Sequence, residues 1–426
     1  MAANGLPGPD TITRVVLDNG VIVLVYQTDA AQSVVISGSL KVGSMLESPA
    51  QNGLSSMTAA ALMRGTERRD FNAIHTELED IGADISISSG VHRTSFFGKA
   101  LAEDLNTLVD VFADVVRRPT FPDSHVERLR GEILTGLQYR SQDTRYRANR
   151  AFHEALYPAN HPYHYSVRGS IETVSKLSVE DLRNFHKQRY SPQGMIFVVV
   201  GAVKADKALE IIQQHLSDWN GGSASEQSSL PEVQRPAQTQ RSFVPLPGKT
   251  QSDIVMGLPG PSRFAPDYHA ANLANSILGQ FGMMGRIGES VREELGLAYY
   301  AYSQLEGGLG EAPWSISAGV NPANVELAIE RINDELRRLT SEPVSDTDLA
   351  DNQSYFVGHL PLQLESNEGI AGTLHNMELF NLGLDYLLTY RDRIYSLTKD
   401  DLLAAARRYL NPDALVIGIA GPETTG

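Results

Sequence analysis

A chain of 426 residues with 42% apolar and 7% aromatic content is long enough for about two or three domains with sizeable cores. Its 36 basic and 51 acidic residues leave a net charge of −15, which argues against non-specific nucleic-acid binding and for a soluble, self-repelling surface. With no cysteine, it has no disulfide, thiolate nucleophile or thiolate metal site. The start, MAANGLPGPD, shows neither a basic nor an apolar leader segment, so the cytoplasm is the expected compartment, with the periplasm the alternative if a leader was removed. No stretch approaches the roughly 20 apolar residues of a membrane span.

TRVVLDNGVIVLVYQ (13–27) alternates as two strands around a hairpin signal at Asn19-Gly20. NGLSSMTAAALMRGTERR (52–69) then enters a helical apolar pattern and leaves through Arg64-Gly65-Thr66. Between those ends it holds only Ser, Met, Thr, Ala and Leu, so it has no side chain suited to metal or proton chemistry. FNAIHTELEDIG (71–82) reads as an amphipathic helix on which His75 is structural. DLNTLVDVFADVV (104–116) continues the helical pattern.

His153, His161, His164 and His186 lie within 186 − 153 = 33 residues. Pro162 sets an extended or turn conformation between His161 and His164, so the two do not share a helical face and predict no metal site.

KLSVEDLRNFHKQRYSPQGMIFVVVGAV (176–203) has a counterpart in SLTKDDLLAAARRYLNPDALVIGIAGPE (396–423). The offset is constant: 402 − 182 = 220 for the leucines, 412 − 192 = 220 for the prolines, and 421 − 201 = 220 for the glycines. Ser178 and Thr398 are helix N-cap candidates with acids in the first turn, and Pro192 and Pro412 stop the helices. MIFVVVG and ALVIGIAG read as strands buried on both faces. Two matching ends at one offset predict two homologous α+β halves. The Gly-, Ser-, Gln- and Pro-rich stretch 221–241 reads as a linker, dividing the chain into 1–220 and 242–426.

In the second half, SDIVMGLPGP opens as a strand, and VELAIERINDELRRL places Leu327, Ile329, Ile332, Leu336 and Leu339 near helical spacing. SVREELG reads as a helix end with Gly296 just beyond it, and LAYYAYS as a strand. Arg292 and Tyr299, 299 − 292 = 7 residues apart, flank the reversal. Tyr300 and Tyr302 read as packing residues. The glycines at 279, 282, 285 and 288 lack the Gly-Lys-Ser/Thr of a phosphate loop. They suit a close backbone approach to a peptide or partner (Gly279, Gly282 and Gly285), with helix packing the alternative.

The order and spacing of DNGVIVLVYQ, VGSMLESPAQNGLS, MRGTERR, the stretch from FHEALYPANHPYHY to VVVGAV, PDYHAANLANSILG and VREELGLAYYAYS resemble the M16 (insulinase or pitrilysin, mitochondrial-processing-peptidase-like) family in its short bacterial form. The resemblance covers nearly the whole chain. It implies two α+β halves, each a mostly antiparallel sheet with helices packed on one face, and a two-chain clamp around a closed chamber. Active members carry His-x-x-Glu-His on the first helix: two His one turn apart hold Zn²⁺, and the Glu serves as general base. A third ligand, a Glu, follows some 75 residues on.

Placed on this sequence, the three motif positions are Ser56, Ala59 and Ala60, and the distal ligand falls near Thr135–Leu137, with Glu132 one turn away. The resemblance thus implies a chain with no zinc of its own, inactive alone. It also implies that Arg292 and Tyr299 match the Arg/Tyr pair that reaches zinc-bound peptide in active members. The expected partner is a homologous subunit with His-x-x-Glu-His and the zinc, forming a heterodimer that acts on unstructured peptides. The alternative is a structural or binding protein that keeps only the clamp.

Overall fold

β1 (Ile12–Val16) and β2 (Ile22–Gln27) form the predicted hairpin, with Gly20 at φ 87° in its turn. They continue into a sheet with β3 (Ser33–Leu40), β4 (Asp84–Ser89), β5 (Thr94–Leu101) and β6 (Ile196–Gly201), in the order β1-β2-β6-β3-β5-β4. Only the β2–β6 pair is parallel. A second sheet runs β7-β11-β8-β10-β9, from β7 (Gln240–Pro245), β8 (Ser252–Pro259), β9 (Ala298–Leu305), β10 (Pro313–Val320) and β11 (Val416–Gly421). Here too one pair, β11–β7, is parallel and the rest antiparallel. This computed structural model describes residues 5–222 and 229–423, so part of the predicted linker lies outside the described residues.

The repeat is built as its residues predict. Ser178 Oγ accepts from Asp181 N, and Asp181 Oδ2 accepts from Ser178 N, closing a capping box on the helix Val179–Arg189. Thr398 and Asp401 do the same for the helix Lys399–Tyr409. Each box satisfies two backbone donors that a helix start leaves unpaired. Both helices lead into a fully buried strand, β6 and β11.

β6 is apolar throughout because each sheet face meets a different core. Phe197 and Val199 join Val23, Val25, Val34, Ile36 and Phe96 on one face, against Leu108, Val109 and Phe112 of the helix Leu105–Arg117. Ile196, Val198 and Val200 join Leu24 and Val35 on the other, against Ile370, Ala371 and Leu374 of the helix Asn367–Leu379. Burying both faces removes the usual alternation of apolar and polar residues.

That second helix comes from the other sequence repeat. One compact unit comprises the described residues up to Leu137, those from Ser166 to 222, and Leu360–Tyr390. The other comprises Gln138–Tyr165, the described residues from 229 to His359, and those from Arg391 onward. The helix Thr144–Leu156 of the first repeat therefore covers β11 and β8 of the second sheet. Gly418 lets it in: a Cβ there would stand 2.4 Å from Ala148 O and 2.6 Å from Phe152 N. The exchanged helices start 367 − 144 = 223 residues apart, so they occupy corresponding places in the two repeats. The compact units thus differ from a division at 1–220 and 242–426, because each sheet needs apolar cover on both faces.

Two smaller expectations are corrected. Gln240 and Arg241, read as linker, begin β7 by pairing with Val416 and Ile417. Leu327 is 39% exposed, whereas Ile329, Ile332, Leu336 and Leu339 are buried and form the core stripe of the helix Val325–Ser341. Among the described residues no helix is long and apolar enough to cross a membrane.

Candidate functional site

The helix Leu54–Ala61 begins after Gly53, whose φ of 99° a side chain would strain and whose Cβ would meet Arg168 O at 3.0 Å. Glu47 caps it from outside the helix. Its Oε1 accepts from Gly53 N at 2.9 Å and Asn52 Nδ2 at 3.0 Å, and its Oε2 accepts from Ser55 N at 2.7 Å. A carboxylate here suits the positive end of the helix dipole. Burial nevertheless pushes Glu47 up to about 7, against the pull of these N–H donors.

Ser56 is half-buried, Ala59 is 1% exposed, and Ala60 faces solvent. On the helix Asp123–Arg140, Leu137 is buried and Thr135 Oγ1 donates to Gly131 O at 2.8 Å. Glu132 is committed elsewhere: Arg64 Nη2 lies 3.1 Å from its Oε2, and Arg128 Nε 3.3 Å from its Oε1. These positions offer no imidazole and no free carboxylate, so they do not fit a zinc ion, which takes three protein ligands. Among the described residues, no group of three or more His, Cys, Asp or Glu side chains is placed to hold a metal ion.

The frame around this helix has a structural task. Thr66 Oγ1 donates to Asp114 Oδ2 at 2.6 Å. Arg69, 8% exposed, reaches Glu77 at 2.6 Å, Asp110 at 2.6 Å and Asp114 at 2.9 Å. Arg68 adds a two-pronged contact to Asp110 at 2.9 and 2.7 Å. Burial alone would raise Asp110, but the hydrogen bonds from Arg68 and Arg69 outweigh it and hold the carboxyl at about 2. The Arg-Gly-Thr-Glu-Arg-Arg stretch is thereby tied to the helix Leu105–Arg117 by charge pairs that need no metal.

The histidines are also accounted for by the fold. His161 Nδ1 accepts from Tyr163 N at 3.0 Å. The Nδ1 atoms of His164 and His153 lie 2.8 Å from Tyr157 O and 3.1 Å from Tyr163 O. His186 Nε2 lies 2.9 Å from Val116 O. Burial pushes both His153 and His161 down to about 4.

Arg292 stands on a π-helical segment, Gly288–Glu294, and Tyr299 is the second residue of β9. The reversal between them is a left-handed glycine stop: Gly296 has φ 59°, Gly296 N donates to Arg292 O at 3.1 Å, and Leu297 N donates to Val291 O at 3.0 Å. The π-helical segment packs against β9, so the two residues sit on neighbouring elements. Among the described residues, the closest carboxylate to the Arg292 guanidinium is Glu293, at 3.7 Å. Tyr299 is 65% exposed. A half-exposed guanidinium can hold a carbonyl, and an exposed phenol can donate to a developing oxyanion. Tyr300 and Tyr302 are instead bound into a polar cluster with Asp253 and Arg145, which their alternation along the strand did not disclose.

The glycines separate. A Cβ on Gly279 would stand 2.2 Å from Ser303 N of β9, and one on Gly285 2.6 Å from Gly279 N, so both make close approaches within the chain. Gly282, with φ 63°, faces open space.

A family model described as insulinase (peptidase family M16) matches residues 22–168, and one described as peptidase M16 inactive domain matches residues 176–355. An uncharacterized zinc protease of Streptomyces coelicolor is 26% identical over 97% of this chain and 91% of its own length. Subunit 1 of the bovine mitochondrial cytochrome b-c1 complex is 28% identical over 62% of this chain and 55% of its own length. The crystal structure of a peptidase M16 inactive domain from Pseudomonas fluorescens superposes with a TM-score of 0.87 at 25% identity, covering 97% of this chain and 98% of that one. A protease from Helicobacter pylori shares the fold, with a TM-score of 0.88 at 20% identity over 98% of this chain and all of that one. Two sequence repeats, two successive M16 matches and the shared fold lead to one assignment: the chain belongs to the M16 peptidase family.

Proposed function

We propose that this chain is the non-catalytic subunit of a two-chain zinc endopeptidase. The observation that carries the reading is an asymmetry between its halves. Ser56, Ala59 and Ala60 give the helix Leu54–Ala61 no side chain to bind zinc or activate water. Arg292 and Tyr299 in the second half stay open to solvent beside a π-helical turn, a feature frequent at functional sites. Arg64 and Tyr300, by contrast, are engaged by other side chains of the fold.

In this reading a homologous M16 subunit supplies His-x-x-Glu-His and the zinc. Arg292 holds a carbonyl of the bound peptide, Tyr299 donates to the oxyanion, and the chain walls half of a chamber for unstructured peptides. Binding and charge stabilisation are this chain's share, and no proton transfer falls to it. The test is reconstitution: the purified chain alone should carry no stoichiometric zinc and cleave no unstructured peptide, and mixing it with the His-x-x-Glu-His subunit should raise cleavage. One zinc per isolated chain together with cleavage would refute it.

A purely structural role is the second reading, favoured by the similarity to a cytochrome b-c1 complex subunit. It predicts that substitutions at Arg292 and Tyr299 leave every assembly's activity unchanged.

A further inference from the structure

Tyr299 owes its exposure to an irregularity in β9. Ala298 pairs with Val320 of β10 and Tyr300 pairs with Gly319, so Tyr299 has no residue opposite it. This is a β-bulge, a device that re-aims a side chain without breaking the strand. Beyond it the strand resumes regular pairing, and Ala301 and Ser303 are buried.

The residue after the bulge is fixed. Tyr300 Oη donates to Asp253 Oδ1. Asp253, fully buried on β8, also accepts from Thr144 Oγ1 at 2.5 Å and from Gln251 Nε2 at 3.0 and 3.1 Å. The Arg145 guanidinium lies 4.9 Å from the Tyr300 ring centroid and 5.4 Å from that of Tyr302, whose hydroxyl it reaches. Across the strands, the Tyr300 ring fills the space of the missing Gly319 side chain. A Cβ there would stand 2.5 Å from Tyr300 Cε1 and 2.6 Å from Gln251 Nε2. An aromatic ring packed over a cross-strand glycine pins register. Tyr300 keeps the register of Ala301 and Tyr302, and moving the extra residue from 299 to 300 would take it off Gly319 and away from Asp253, so the bulge stays at 299.

We propose that Tyr300, Asp253 and Gly319 form the positioning group of Tyr299, holding the bulge that presents its phenol; this rests on the role of Tyr299 proposed above. None of the three need touch substrate. Each acts through the placement of one hydroxyl, where a displacement of about 1 Å costs up to a hundredfold in rate.

The test uses the full chain with 3-fluorotyrosine placed at 299 alone, and the same variants mixed with the His-x-x-Glu-His subunit. Tyr300→Phe and Gly319→Ala should each move the ¹⁹F resonance of residue 299, and Tyr355→Phe, elsewhere in the unit, should not. In the mixture, Tyr300→Phe should lower kcat about tenfold with KM unchanged. In a Tyr299→Phe background it should lower kcat no further. A resonance unmoved by both substitutions, or losses that multiply in the double variant, would overturn the proposal. If Tyr299→Phe alone leaves the rate unchanged, the functional reading of Tyr299 fails, and the fluorine signal still decides whether the three residues set its position.

Discussion

Arg64 Nη2 and Glu132 Oε2 stand 3.1 Å apart, so the acid nearest the expected third-ligand position is neutralised by an arginine of the chain's own first helical region. A zinc ligand would have to give up that partner. Together with Ala59, 1% exposed at the position where the family resemblance implies a base, the pair fits a helix that serves packing.

Ala59→Glu should therefore destabilise the chain by about 3 kcal/mol, since it buries a carboxylate with no counter-charge. Ala60→Glu, one residue on and exposed, should stay within about 0.5 kcal/mol of the parent. Urea denaturation of the two variants checks this; equal midpoints would show that position 59 is still open.

Arg69→Ala should cost about 3 kcal/mol, because it takes one arginine partner from the fully buried Asp114 and from the half-buried Asp110. Asp110 also sets a pH signature. Its carboxyl is held at about 2, below the ordinary value of 3.8, so the stability it contributes is present above 3.8 and is lost as pH falls through about 2. Acid titration of the folded fraction should show this loss in the parent and not in Asp110→Asn.

His375 Nε2 lies 2.7 Å from Ser39 Oγ, which also accepts from Arg93 Nε at 2.6 Å. Burial pushes this imidazole down to about 4, and a proton on it would stand one hydroxyl away from a buried guanidinium. His153, His161 and His269 are likewise held at about 4 by burial. The sign follows from an ordinary value of 6.5: their contribution to stability is full above 6.5 and is lost as pH falls toward and through 4. The urea midpoint should fall across that window, and His375→Gln should reduce the slope by about one proton.

Gly279→Ala should destabilise the chain by about 3 kcal/mol, since its Cβ would overlap Ser303 N. Gly282→Ala meets open space and carries only the strain of φ 63°, about 1 kcal/mol. Denaturation midpoints for the pair separate packing from exposure. A stable Gly279→Ala that weakens peptide binding would favour the sequence-based expectation, a contact with peptide or partner.

Much of this architecture is legible in the residues. The capping boxes at Ser178 and Thr398, the hairpin at Asn19-Gly20 and the helix stop at Gly296 depend on neighbours within a few positions, so local sequence carries them. The continuous apolar run 195–200 disclosed a strand buried on both faces but not what covers it, because the helix Asn367–Leu379 lies some 170 residues downstream. The lack of metal-binding side chains on the helix Leu54–Ala61 was visible in Ser56, Ala59 and Ala60. The Glu47 cap, the Arg64–Glu132 pair and the bulge at Tyr299 were not, since each depends on a partner brought near only by the folded chain.

The most direct measurement is kcat for an unstructured peptide in the mixture of this chain with an M16 subunit bearing His-x-x-Glu-His, made with the parent chain, Arg292→Ala or Tyr299→Phe. Both side chains are half-exposed or exposed, so the variants should fold and associate like the parent. Loss of an oxyanion donor predicts a fall of about a hundredfold for Tyr299→Phe, with zinc content of the mixture unchanged. Parental kcat in both variants, at equal assembly and equal zinc, would contradict the assignment of Arg292 and Tyr299 to the partner's active site.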